Sequence, residues 1–366
     1  MAVITTKTTQ PDDLIDILRL IRSENVGPIT YFNLVDYYGS AKETLYALPS
    51  LAKKNIKICT QAEAEQEIEQ HRHHKAGIIT YLDPDYSEEL HHTPDPPPVL
   101  SYIGNKDLLK KQTIAIVGAR NASFNGKRLA EKLAKELGQC GFCVSSGLAR
   151  GIDTHAHNGS LKTGTIAVLA SGINHIYPPE NKTLYDAIAN QGLIICEAPF
   201  DAKPQSAFFP RRNRIISGIA QGVLVVEAAF KSGSLITAKF ALEQNRELFA
   251  IPGSPFDPRC RGTNDLIKNG AHLVQAVDDI VEVLGSKLIK TPSYTEATQP
   301  ITFEQNNQDL YKLLKENLSF TPICLDDVAR ECQISVRELL GAVIELELAG
   351  VITRSGGNMV ALAAKN

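Results

Sequence analysis

The 366-residue sequence predicts an α/β protein built on a doubly wound parallel sheet, with a small helical domain before it and a winged-helix-like domain after it. Between residues 99 and 285, short apolar runs alternate with stretches of helical periodicity, and Gly, Ser or Pro follows each run. Runs without polar alternation suit strands buried on both faces, as in a parallel sheet covered by helices. Near the C-terminal end, three helical stretches precede two short strands around Ser355-Gly356-Gly357-Asn358, the order of a winged helix-turn-helix.

Residues 1–59 form the expected helical domain. Leu14, Ile17, Leu18 and Ile21 share one helix face, and Tyr31, Phe32, Leu34, Val35 and Tyr38 another. Asn25-Val26-Gly27-Pro28 breaks the helix between them. This pattern is SAM/helix-hairpin-helix-like, and such a glycine turn can offer backbone N–H groups to DNA phosphates. Residues 60–98, with an acidic helical run at 63–69 and five prolines from Pro84 to Pro98, are expected to be a connector with a polyproline-like end. In the core, 99–285, the candidate strands are 113–118, 142–146, 165–171, 193–197, 222–227 and 248–252. Helices are expected at 126–137, 181–191 and 235–244. A sheet of this kind binds its ligand at the carboxyl ends of its strands, near the switch point. Residues 286–304 are polar and read as a linker to the last domain, 305–366. Its would-be recognition helix, SVRELLGAVIELELAG, is acidic and apolar, with only Arg337 able to reach a phosphate. Protein contact or packing is expected of it rather than DNA reading.

Composition narrows the function classes. Hydrophobic residues make up 43% and charged residues 22%, as in a globular protein and unlike a disordered one. Apolar stretches such as 166–170 and 223–226 fall far short of the roughly 18 residues of a membrane span. The opening MAVITTKTTQPDD has no apolar core ahead of a cleavage site, so no secretory signal is expected. Seven scattered cysteines in a chain long enough to bury a core point to free thiols and a cytoplasmic location. The net charge is −3 and the pI about 6.3, so any nucleic-acid site must be a local basic cluster.

Candidate binding residues gather where strands end. The first core strand ends in Gly118-Ala119-Arg120, followed by Asn121, Ser123 and Gly126. Glycine there admits a ligand to the backbone, and the next helix aims its N–H dipoles at it. Arg120 occupies the second-glycine place of a G-x-G-x-x-G loop, which argues against a dinucleotide cofactor and for direct anion contact. Ser146 and Gly147 begin a second small-residue turn, with Asp153 as a candidate cap. Ser232, Gly233, Ser234 and Thr237 make a third, after Glu227. The densest signal is KPQSAFFPRRNR, in which Lys203, Arg211, Arg212 and Arg214 surround Phe208, Phe209 and Asn213. Arginine forks grip phosphates, and an exposed phenylalanine stacks on an unpaired base.

Other patterns lead elsewhere. Asp153, His155 and His157 do not share one helix face, so no metal is expected. Cys140 and Cys143 straddle a helix end and a strand, unlike a redox CxxC that begins a helix. No cofactor is expected either.

The motifs VGARNASFNG, SSGLARGIDTHAH, GINHIYPPEN, FFPRRNRIISG, VVEAAFKSGSLITA and AIPGS resemble, in order, those of the DNA processing protein A (DprA/Smf) family. The match spans about residues 95–275, and PPPVLSYIGN ahead of it resembles the family's lead-in. The resemblance implies an extended Rossmann-like core that binds single-stranded DNA, forms a homodimer, protects incoming strands and loads the RecA recombinase during natural transformation. By that match Arg120, Ser146, Gly147, Lys203, Phe209, Arg211, Asn213, Arg214, Ser232, Gly233 and Ser234 line the DNA pocket. Ala119 departs from the family's frequent serine, leaving only backbone to contact a phosphate there. The resemblance also implies self-association at the end of the core, where Leu266, Ile267, Leu273 and Val274 flank Gly270 on a helix-turn-strand.

The alternative expectation is an enzyme similar to the nucleotide phosphoribohydrolases, whose loop runs Pro-Gly-Gly-x-Gly-Thr-x-x-Glu. Here Phe240 stands in place of that carboxylate, three residues after Thr237, and no P-loop lysine follows a glycine run. Binding without catalysis is the expectation.

Overall fold

The computed structural model describes residues 11–51, 56–285, 307–355 and 358–363. The first ten residues, the 286–304 linker and the turn glycines 356 and 357 lie outside them. Among the described residues four helices come first: α1 (Pro11–Ile21), α2 (Pro28–Tyr38), α3 (Ala41–Leu51) and α4 (Gln61–His73). Pro28 sits in the first turn of α2, where its missing N–H costs nothing, and Gly27 precedes it. Ile17, Leu18, Leu20, Tyr31, Leu45 and Leu48 form this unit's core.

The stretch 60–98 is more structured than its composition suggests. It holds α4, strand β1 (Gly77–Thr80) and the short helix α5 (Glu88–His91). A Thr60–Glu63 capping box starts α4, whose inward positions include Ala64, Glu67 and His71. The acidic run hid this inward face because its polar members are paired. Glu67 meets the Arg22 guanidinium at 2.9 Å, and His71 Nε2 lies 2.7 Å from Ser101 Oγ.

The core continues with β2 (Val99–Gly104), β3 (Thr113–Val117), α6 (Phe124–Gln139), β4 (Cys143–Ser146), α7 (Ile152–Ser160), β5 (Thr165–Val168), α8 (Lys182–Gln191) and β6 (Leu193–Cys196). It ends with α9 (Phe208–Gly218), β7 (Gly222–Val225), α10 (Gly233–Glu243), β8 (Glu247–Ala250), α11 (Arg261–Lys268), β9 (His272–Leu273) and α12 (Val277–Leu284). The sheet order is β1-β2-β6-β5-β4-β3-β7-β8-β9. From β6 to β9 all pairs are parallel, whereas β2 joins β6 antiparallel and β1 joins β2 antiparallel. The sheet is therefore the expected doubly wound one, widened by an antiparallel edge. Alternate residues of each strand serve opposite faces: Ala115, Val117, Val223 and Val225 pack on one side, Ile114, Ile116, Leu224 and Phe249 on the other. The chain winds from β3 out to β6, then returns to lay β7 against the other side of β3. That reversal puts the switch point between the ends of β3 and β7.

The last domain contains α13 (Asn307–Asn317), β10 (Ile323–Cys324), α14 (Leu325–Cys332), α15 (Val336–Leu348), β11 (Ile352–Ser355) and β12 (Met359–Leu362). Its sheet has three strands, in the order β10-β12-β11, because Ile323–Cys324 adds to the predicted hairpin. Phe124, at the start of α6, shares its core with Leu314, Leu325, Val328, Leu339 and Val343. Lys127 donates to Asn317 Oδ1 at 2.8 Å, Arg128 pairs with Asp327 at 2.5 Å, and Asn125 donates to the Thr321 carbonyl. Among the described residues no helix is long and apolar enough to cross a membrane. All seven cysteines are unpaired.

Candidate nucleic-acid interface

A groove of about 840 Å³ opens at the switch point. The loop after β3 supplies Gly118, Ala119, Arg120 and Asn121, and the loop after β7 supplies residues 229–234. The first turns of α9 add Phe209, Arg212 and Asn213, and α10 adds Ile236 and Thr237. A smaller recess of about 190 Å³ adjoins it, lined by Gly147, Arg150, Tyr177 and Glu180, and sharing Arg120, Phe209 and Arg212 with the groove.

Arg120 is exposed, with its guanidinium 5.2 Å from the Phe209 ring centre. Tyr177 meets the same ring edge-on at 5.8 Å. A cation held over an aromatic face leaves the charge facing solvent and fixes the ring, so phosphate and base contacts lie side by side.

Arg212 forms the floor. It is buried, and its Nη1 donates to the Val168 carbonyl at 3.0 Å. A side chain at Gly147 would meet that Nη1 at 1.6 Å, so only glycine lets the loop pass above the guanidinium. Burial pushes the Arg212 guanidinium down to about 10, opposed by the neighbouring Asp153 carboxylate. Arg212 therefore keeps its charge at neutral pH. Asp153 in turn accepts from the Gly147 and Ala149 N–H groups at 3.1 and 3.4 Å, which holds the loop. Burial raises its carboxyl, with Arg212 opposing the shift. Below lies His157. The Leu148 N–H donates to its Nε2 at 3.3 Å, so Nδ1 carries the proton toward Thr165 Oγ1 at 2.7 Å. Burial pushes this imidazole down to about 3, and it stays neutral.

The third loop is an N-terminal cap. Ser232 begins α10, lying 2.8 Å from Ser234 Oγ, and Asn213 donates to the Gly233 carbonyl at 3.3 Å. Its preceding residue, Lys231, has φ +67°, in the left-handed region.

Several residues singled out in the sequence have other work. Ser146 is fully buried and donates to the Ile116 carbonyl at 2.7 Å. Ser123 caps α6 and is buried, with its N–H and hydroxyl on Glu227 at 2.8 and 2.5 Å. Glu227 is thus a structural acceptor, raised by burial and opposed by Ser123. Arg214 is buried in an ion pair with Glu197 and Asp95, away from the groove. Arg211 is exposed and lines a separate cleft beside Gly27 and Pro28 of the helical domain. Lys203 is exposed but lines none of these cavities. Phe208 and Phe209 are half-buried rather than exposed. Gly118 does line the groove, yet a side chain there would meet Ile152 at 2.5 Å, so helix packing demands this glycine. Of the edge residues, Leu273 is 46% exposed on β9, Leu266 and Ile267 pack partly on the core, and Val274 is buried within it.

The sequence reading missed Arg259, Phe230 and Tyr177. Arg259 reaches the groove while donating to the Glu316 and Leu318 carbonyls at 3.1 and 2.7 Å, which ties the last domain to the rim. The proline- and arginine-bearing loop after β8 was the signal for Arg259, while Tyr177 and Phe230 stood inside the GINHIYPPEN and VVEAAFKSGSLITA motifs.

Comparison with known proteins bears on the whole chain. The family model for DNA recombination-mediator protein A matches residues 77–285, that for the DprA-like N-terminal HHH domain residues 11–69, and that for the DprA winged helix domain residues 298–358. DNA processing protein DprA of Bacillus subtilis is 47% identical over 205 residues, 55% of this chain and 68% of that protein. Protein Smf of Synechocystis is 35% identical over 326 residues, 80% of this chain and 81% of that protein. The X-ray structure of DNA processing protein A from Streptococcus pneumoniae superposes with a TM-score of 0.59 at 33% identity, covering 76% of this chain and 94% of the other. DNA processing protein A from Helicobacter pylori, solved for its single-stranded DNA binding mode, gives a TM-score of 0.54 at 28% identity, covering 59% of this chain and 98% of the other.

Proposed function

Because this chain belongs to the DprA/Smf family of DNA recombination mediators, we propose that the switch-point groove holds single-stranded DNA. The observation that carries this reading is the Arg120 guanidinium over the Phe209 ring in the groove wall, beside loops rich in small residues. Phosphates lie against Arg120 and the N–H groups that begin α10, with Arg212 adding positive potential from beneath. A base stacks near Phe209 and Tyr177 without being read, so sequence preference is slight. The exposed face of an aromatic ring stacks on an unpaired base, which a blunt duplex does not offer. Anisotropy titration of labelled single-stranded and duplex oligonucleotides over a salt series tests this. Single strands bind more tightly at every salt concentration; equal affinity for blunt duplex overturns the reading.

The finer role rests on the family: a cytoplasmic homodimer that shields incoming strands and passes them to RecA during natural transformation. The dimer contact is assigned to the β9 edge, where Leu273 is open to solvent and Leu266 and Ile267 lie behind it. Leu273→Glu is expected to yield monomer by light scattering, and a folded variant that stays dimeric excludes that edge. RecA loading is read as recombinase filament formation on strands already coated with a single-strand-binding protein. The groove is proposed to bind without turnover: Glu227 is committed to Ser123, and Phe240 occupies the place of the rival enzymes' carboxylate. Release of base or phosphate from nucleotides, lost in Glu227→Ala, would reverse that conclusion.

A further inference from the structure

The groove contains a second aromatic ring under cations. Phe230, on the loop after β7, is 57% exposed, and lines the same groove as Phe209. The Arg261 guanidinium lies 5.0 Å from its ring centre and the Lys231 ammonium 5.8 Å. Phe209 under Arg120, at 5.2 Å, has the same construction. An isolated exposed phenylalanine is ordinary, but one that lines a concave anion-suited groove and is flanked by two cations, the groove's own Lys231 and the neighbouring Arg261, is not. The ring contributes little to the core, being mostly in solvent. Lys231 also holds a backbone conformation that glycine adopts at lower cost, so a long cationic side chain sits where local geometry favours none.

We infer that Phe230, with Arg261 and Lys231, is a second base-stacking station for the strand, distinct from the one at Phe209. This inference rests on the groove holding single-stranded DNA. One base stacks on the Phe230 ring while the two cations turn to the phosphates on either side of it. The groove therefore grips a strand at two points along its length, and affinity rises in a step once an oligonucleotide is long enough to reach both.

The test uses the full chain and labelled oligothymidylates of about 4 to 16 nucleotides, titrated by anisotropy. Phe230→Ala is expected to bind long oligonucleotides about tenfold more weakly, while the shortest that bind at all are unaffected. Phe230→Trp restores long-oligonucleotide binding, because it keeps a stacking face. Arg261→Gln lowers the salt slope by about one, whereas Phe230→Ala leaves it unchanged. Crosslinking of 5-iodouracil oligonucleotides marks Phe230 as well as Phe209. The inference is overturned if Phe230→Ala binds long strands like the unmodified protein, or if it loses affinity equally at all lengths. Failure of the unmodified protein to bind any oligothymidylate overturns the single-strand reading itself; loss in Phe209→Ala with none in Phe230→Ala overturns the second station alone.

Discussion

Two regions of this molecule have shapes associated with nucleic acid: the groove at the switch point and the recognition helix α15 of the winged-helix domain. Their surfaces differ. The groove brings Arg120, Lys231 and Arg259 to one concavity over the buried Arg212, with small residues and rings between them. The open face of α15 carries Glu338, Ile344, Glu345 and Leu348, with Arg337 as its exposed cation. Leu348 is 84% exposed and Ile344 45%. Arg354, on the wing, is turned toward Glu347 at 3.8 Å. Phosphates gain from the first surface and are repelled by the second. The fold supplies a shape in both places, and only the side chains decide what that shape attracts.

The contrast can be broken by experiment. Arg120→Ala is expected to weaken single-strand binding about ten- to hundredfold and to lower the salt slope by about one, as measured by anisotropy. An intact slope would move the phosphate contact elsewhere. Phe209→Ala is expected to cost about tenfold with the slope preserved, separating stacking from charge. His157 tests the groove's floor. Its folded-state value of about 3 lies below the ordinary 6.5, so the unfolded chain takes up a proton first. Stability therefore falls as pH drops from about 7 toward 3, with about 2 kcal/mol lost by pH 5. Urea unfolding at pH 7 and 5 should show a smaller loss in His157→Gln; an equal loss would mean that another group governs the acid limb. The smallest effect is expected on the other surface: Arg337→Ala should change affinity for single strands or duplex by less than about twofold. A larger change would make α15 part of the DNA path.

Local pattern reached far into this fold and stopped at predictable places. Apolar runs of strand length located six of the eight core strands, β3 to β8, because a strand buried on both faces tolerates few polar residues; β2 and the two-residue β9 were not among them. In residues 60–98 the helical run at 63–69 is present as α4, but its inward face was not legible, for the opposite reason. Glu67 and His71 are buried yet polar, and their partners Arg22 and Ser101 come from distant parts of the sequence.

The arginine segment marks the boundary most clearly. Sequence alone determined that Arg211, Arg212 and Arg214 stand together after a parallel strand, beside Phe209 and Asn213. Only the tertiary structure decided their separate fates, since α9 turns successive side chains about 100° apart. Arg211 faces a neighbouring cleft, Arg212 runs beneath Gly147, and Arg214 is held by Glu197 and Asp95. Residue type determined that an anion site could exist here. Which guanidinium remains free to meet a phosphate was decided by the carboxylates and carbonyls that the fold brings to the others, because a buried charge must be paired and an exposed one need not be.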